Sequence, residues 1–238
     1  MSTAPRRLGL LGGVTWHSSL DYERLINEGV NRALGGSASA DLLVRSYNFA
    51  HIAAAQDAGD WDGLARTFAR DASRMADAGA QAIVICANTM HKVADEVASE
   101  SGLPVLDIRD AVADAVLAAG IDTVSLFATG YTMRESFYRD HLARRGITAV
   151  VPEEPHLSEV HRIIYEELAR GVVREDSRVT VLNLARDMAA RGSGAFIAGC
   201  TEMPMLVTAP DLAAANISGT YVDALALHAQ AAVQFALS

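Results

Sequence analysis

Two segments 113 residues apart read alike: Gly79-Ala80-Gln81-Ala82-Ile83-Val84-Ile85-Cys86-Ala87-Asn88-Thr89-Met90 and Gly192-Ser193-Gly194-Ala195-Phe196-Ile197-Ala198-Gly199-Cys200-Thr201-Glu202-Met203. In each, glycine leads into a short run that is apolar on consecutive residues. The run then gives way to small and hydroxyl-bearing residues. Such a run fits a strand buried on both faces, as in a parallel sheet covered by helices. A second echo, at an offset of 117, overlays Leu10-Leu11-Gly12-Gly13-Val14-Thr15-Trp16 on Phe127-Ala128-Thr129-Gly130-Tyr131-Thr132-Met133. Two echoes at nearly one spacing predict a duplicated α/β half.

Outward from these segments, strand-like runs at Arg7–Leu11, Asp41–Ser46, Ala82–Cys86, Val105–Ile108, Thr123–Phe127, Thr148–Val151 and Ala195–Ala198 alternate with helical patterns. The helical patterns include Trp61–Ala78, Asp110–Ala119, Thr132–Arg144, Glu159–Ala169 and Ser177–Ala190. This alternation predicts an α/β protein of two pseudo-symmetric parallel-sheet domains. The expected boundaries are 1–107 with 212–238 for the first domain, closed by the C-terminal helix, and 108–211 for the second. Ligands of open parallel sheets bind beyond the carboxyl ends of the strands. All four echo segments are such junctions, so the active site is expected in the cleft between the domains.

Composition narrows the class. The 238 residues carry 20 basic against 29 acidic side chains, a net charge of −9, which argues against a nucleic-acid or anionic-membrane surface as partner. Leu8–Val14 is too short and glycine-rich for a secretory leader, and no run reaches the ~20 apolar residues of a membrane span. A cytoplasmic setting and a small-molecule ligand are expected. Two cysteines make neither a disulfide scaffold nor a cysteine-based zinc cluster, so no metal is expected. Either both are small core residues or at least one does chemistry.

The candidate chemistry lies at the strand ends. Gly13, in the Gly12-Gly13 turn, could cradle an anion with backbone N–H groups, although the turn lacks a dinucleotide fingerprint and a P-loop lysine. Cys200 ends an apolar run where backbone donors favour a thiolate, with Thr201 to hydrogen-bond and Glu202 to orient a partner. A lone cysteine after such a run equally fits a core residue. Asn88 and Thr89 offer donors for a carboxylate or, equally, an ordinary helix cap, and His91 falls one turn into the next helix. The repeat puts Ala87, not Cys86, in the place of Cys200. Adjacent strand residues face opposite ways, so Cys86 reads as core.

Asn88-Thr89-Met90-His91 and Gly199-Cys200-Thr201-Glu202 resemble the motifs of the aspartate/glutamate racemase family. The likeness extends through Leu8–Trp16, Ser46-Tyr47-Asn48-Phe49, Thr132-Met133 with Phe137-Tyr138, Ile163-Ile164-Tyr165-Glu166-Glu167-Leu168, and Asp223 with His228-Ala229. Met90-His91-Lys92-Val93 is most similar to the bacterial L-aspartate/glutamate-specific branch. The resemblance implies a homodimer, no cofactor, and an amino-acid substrate whose α-carbon lies between two thiols. One thiolate removes the α-proton and the opposite thiol returns one. It places Asn88, Thr89, Thr132 and Thr201 around the substrate carboxylate, with Met90 also among the substrate-binding residues. It also implies a cation for a distal carboxylate. The family's lysine position is Ser158 here, with His161 and Arg162 beside it and Arg45 as another candidate.

The departure from the family falls at Ala87, which can neither give nor take a proton; the L-specific branch has threonine there. Three arrangements fit an alanine: water or a side chain such as His91 serves that face, the chemistry is one-sided, or the alanine is an engineered change. A racemase or epimerase with Cys200 as acid/base, His91 and Glu202 as relays, is the reading taken forward. The alternatives are a single-cysteine decarboxylase similar to arylmalonate decarboxylases and a non-catalytic small-ligand sensor.

Overall fold

The computed structural model describes residues 4–238, and the chain divides into two compact units, 1–107 with 228–238 and 108–227. The first unit runs β1 (Leu8–Gly12), α1 (Trp16–Leu34), β2 (Leu42–Ser46), α2 (Phe49–Asp57), α3 (Trp61–Asp77) and β3 (Ala82–Ile85). A 3-10 turn over Thr89–Val93, α4 (Ala94–Ser101) and β4 (Val105–Leu106) follow. Its sheet is parallel, in the order β2-β1-β3-β4. β1 and β3 are buried along their whole length, as consecutive apolar residues require of central strands, whereas β2 is an edge and exposes Val44, Arg45 and Ser46. Helix α3 turns Leu64, Phe68, Ala72 and Met75 inward, and the Asp60 carboxylate accepts the Gly63 N–H at its start.

The second unit runs α5 (Ile108–Ala118), β5 (Thr123–Phe127), α6 (Gly130–Arg134), α7 (Ser136–Arg144), β6 (Thr148–Val150) and α8 (His156–Arg162). A π-turn over Ile163–Glu167 follows, then α9 (Glu175–Ala190), β7 (Ala195–Ala198), α10 (Met203–Leu206), α11 (Ala209–Ala214) and β8 (Thr220–Asp223). Its sheet has the order β6-β5-β7-β8, the same winding as the first. Each unit has its own apolar core, one built around Phe68, Ile83 and Ile85, the other around Phe127, Tyr138 and Ile197. Helix α12 (Ala224–Leu237) carries the chain from the second unit back to the first. Among the described residues no helix is long and apolar enough to cross a membrane.

The duplicated parallel architecture is present, with four differences in detail. Residues 212–227 belong with the second unit, not the first, because β8 pairs with β7 from Ala195↔Thr220 to Ala198↔Asp223. The run from Val105 to Ile108 is strand only as far as Leu106, and Ile108 already opens α5. The stretch from Thr132 to Arg144 is two helices, broken where Glu135 becomes extended at φ −78°, ψ 157°. Lastly, Leu8 stands beside Ala82 as Val124 stands beside Ala195, so the first strands correspond at an offset of 116 and not 117. The β3/β7 offset of 113 holds: Cys86 N–H donates to the Leu11 carbonyl as Gly199 N–H donates to the Phe127 carbonyl.

Candidate active site

The equivalence of Cys86 with Gly199 makes Ala87 the counterpart of Cys200 on backbone evidence within each sheet. Cys86 is fully buried, donating weakly to the Val84 carbonyl at 3.8 Å, and burial pushes its thiol far up from the ordinary range. Burial is the whole cause of that shift, with no charged group contributing among the described residues.

Beyond β3 the chain turns through Ala87, Asn88 and Thr89, all buried. Both side-chain amide atoms of Asn88 are buried with no hydrogen-bond partner among the described residues. Leaving such a group unpaired costs about 1–3 kcal/mol, so a buried orphan amide calls for a partner from outside the chain, water or ligand. Met90 is fully buried and its sulfur accepts from the Gln56 amide at 3.5 Å, so it supports the turn as part of the core. His91, also buried, donates Nδ1–H to the Ala87 carbonyl at 2.9 Å. Its ring stands edge-on to His228, 5.5 Å away.

His228 has a fixed tautomer. A carbonyl only accepts, so Nε2–H donates to Leu106 O at 2.7 Å, and Nδ1 accepts from the Tyr22 hydroxyl at 2.8 Å. Burial, with His91 alongside, pulls its pKa from 6.5 down to about 3. Two aromatic rings and two hydrogen bonds thus brace the floor of the 87–91 turn.

Gly13 is required by shape rather than by a ligand. Its φ is +78°, and a Cβ there would run into the Tyr47 backbone. Its N–H, expected to face an anion, donates instead to Ser19 Oγ at 2.7 Å.

In the second unit, Cys200 follows β7 in the place sequence reasoning put it. It is buried, and its thiol donates to Glu202 Oε2 at 3.1 Å. Burial, reinforced by the Glu202 charge, holds the thiol well above its ordinary range, so the resting group is S–H and not thiolate. Thr201, expected on the substrate carboxylate, sends its hydroxyl to the same Glu202 oxygen at 2.9 Å. Thr201 therefore orients the acceptor of the thiol proton. At the end of β5 the buried hydroxyls of Thr129 and Thr132 lie 3.2 Å apart, and Thr129 Oγ1 accepts the Thr132 N–H at 3.4 Å.

The two arginines expected on a distal carboxylate differ in how the protein holds them. Arg45 pairs with buried Asp71 at 3.1 Å, donates to the Ser46 carbonyl and lies 4.5 Å over the Tyr47 ring. Arg162 is held by Glu159 at 2.7 Å and by buried Glu167 at 2.9 Å, and these partners raise its pKa further. Arg162 is thus matched by two carboxylates, whereas Asp71 also meets Arg74 at 3.1 Å and Arg70 at 3.5 Å, so its one charge does not neutralise Arg45. Ser158 accepts from Arg134 Nη2 at 2.8 Å.

A model of the Asp/Glu/hydantoin racemase family matches residues 11–232. A protein from Yersinia pestis, provisionally assigned as an Asp/Glu racemase, is 40% identical over 98% of this chain and 100% of its own, with a TM-score of 0.89. An aspartate racemase homologue from Pyrococcus horikoshii is 30% identical over 98% and 100% of the two chains, with a TM-score of 0.80. A variant of arylmalonate decarboxylase shares the fold at 14% identity, 97% and 92% coverage and a TM-score of 0.54.

Proposed function

Because the chain belongs to the Asp/Glu/hydantoin racemase family, we propose that it is a cofactor-independent racemase or epimerase of aspartate- or glutamate-like amino acids, with Cys200 as resident acid/base. The observation that carries this reading is the buried thiol donating to Glu202 at 3.1 Å. Glu202 takes the thiol proton; the thiolate so formed takes the substrate α-proton and becomes thiol again. Thr201 keeps Glu202 aligned. Asn88, Thr89 and Thr132 hold the substrate carboxylate, and donors in a water-poor site stabilise the enolate-like charge far better than water does. The orphan amide of Asn88 supports that role.

Ala87 supplies no proton to the other face. Its methyl takes less room than a thiol or hydroxyl, and water carries the proton there in this reading. The same small side chain favours a second reading, one-sided proton chemistry after loss of carbon dioxide.

Single enantiomers of aspartate and glutamate, and a substituted malonate, incubated with the protein in deuterated water separate these. Inverted, α-deuterated amino acid is the expected result. Deuterium with retained configuration means that only the Cys200 face works. Carbon dioxide release from the malonate selects the decarboxylase, and no turnover of any of them selects a small-ligand sensor.

A further inference from the structure

Helix α3 carries arginine at positions one turn apart, Arg66, Arg70 and Arg74. Like charges four residues apart on a helix repel and destabilise it, so such a stripe calls for an anion. The helix supplies one. Asp71 is buried, and it meets Arg45 of β2 and Arg74 at 3.1 Å and Arg70 at 3.5 Å. Burial works against the Asp71 charge, yet the Arg45 bond and its neighbours hold the carboxyl below the usual range. One negative charge is thereby divided among three half-exposed guanidiniums. Arg66 meets no carboxylate among the described residues.

The excess charge borders a cleft. A cavity of about 1060 Å³ opens within the first unit between the end of β2, α2, α3 and the end of α4. Arg45, Arg66 and Arg70 line it with Tyr47 and His51, whereas the turn that carries Asn88 does not. Tyr47 is buried, stacked on Phe68 at 4.5 Å and covered by the Arg45 guanidinium at 4.5 Å. Its hydroxyl faces Asp71 but closes no hydrogen bond of ordinary geometry. Burial and the Asp71 charge push the phenol up, so it stays a proton donor. Two carboxylates also line the cleft. Asp60 is held as the cap of α3, taking the Gly63 N–H at 2.9 Å, and Glu100 stands on α4.

We propose that Arg45, Arg66 and Arg70 form a binding site for the phosphate group of a small molecule, the cleft around them holding the rest of it. Asp71 offsets one of the four arginine charges, and a phosphate dianion offsets two more. Its oxygens match the paired N–H donors of guanidinium groups, which a lone carboxylate uses only once. The cleft is larger than a bare oxyanion fills and lies at the upper end of small-molecule pockets, which favours a phosphomonoester as the source. The site does not depend on the racemase reading.

Titration calorimetry of the whole protein with adenosine 5′-monophosphate, adenosine and inorganic phosphate tests this. The monophosphate is expected to bind and adenosine is not. Arg66→Gln and Arg70→Gln should each weaken binding at least about tenfold, the worth of one hydrogen bond to a charged group. Glu100→Gln should tighten it, because a like charge leaves the cleft. Arg186→Gln, on α9 of the second unit, should change nothing, and thermal melting of each variant checks the fold. Inorganic phosphate binding as tightly as the monophosphate supports the site with free phosphate as its source; tighter monophosphate binding supports it with a phosphomonoester. Adenosine bound as well as its monophosphate, no binding of either phosphate, unchanged binding in Arg66→Gln and Arg70→Gln, or equal weakening in Arg186→Gln overturns the proposal. Loss of binding in Asn88→Ala overturns it too, since the anion would then sit at the Asn88 turn.

Discussion

A serine at position 200 would still bond to Glu202, but it exchanges a thiol for a group far harder to ionise. Cys200→Ser is expected to cut α-deuterium incorporation at least about a hundredfold while leaving the melting temperature nearly unchanged. Cys86→Ser should do the opposite. It puts a hydroxyl into a fully buried apolar place, and a loss of about 1–3 kcal/mol in denaturant unfolding is expected with exchange retained. Ala87→Cys should raise the ratio of inverted to retained product, measured by chiral chromatography of the deuterated amino acid. The difference between the two cysteines was legible in the sequence, since register along a strand decides which way a residue faces. The roles of Gly13, Thr201, Arg45 and Arg162 were not. Each depends on how folding orients a partner, whether distant along the chain, as Asp71 is for Arg45, or nearby, as are Ser19, Glu202, and Glu159 with Glu167.

Among the elements, α12 is attached to the first unit by polar as well as apolar contacts. Tyr22 on α1 and Leu106 at the end of β4 hold both ring nitrogens of His228. This histidine is neutral when folded, with a pKa near 3 against 6.5 when exposed. Between those values the unfolded chain binds the extra proton, so stability is complete above about pH 6.5 and falls as pH drops toward 3. The expected slope from this group is about 1.4 kcal/mol per pH unit. Urea unfolding at pH 7.5 and 5.5 should show it, and the His228→Gln variant should show a shallower dependence. Most elements could be read from local pattern. The exception was β8: Thr220-Tyr221-Val222-Asp223 has no apolar run, and it is a strand because β7 offers it a ladder. The break at Glu135 between α6 and α7 was likewise invisible in a continuous helical pattern.

At the level of the whole chain, the first unit is completed by its last eleven residues, 228–238. Arg6 N–H donates to the Ala236 carbonyl at 2.8 Å, and Val233 packs against Gly29 of α1 where even a Cβ would collide. Deleting 228–238 is therefore expected to abolish slow amide exchange in β1 and β3 while leaving it in β5 and β7, as hydrogen-exchange mass spectrometry would show. The sequence by itself determined the parallel α/β class, the two similar halves, the family, and the correspondence of Ala87 with Cys200. All of these are carried by strand periodicity, turn residues and motif spacing, which are local and repeat along the chain. Only the tertiary structure decided where the halves divide, the one-residue correction between β1 and β5, which carboxylates Arg45 and Arg162 meet, and that Asn88 is left unpaired. Those outcomes turn on which side chains meet after the sheets close, and a buried charge or amide is defined by its partners rather than by its neighbours in sequence.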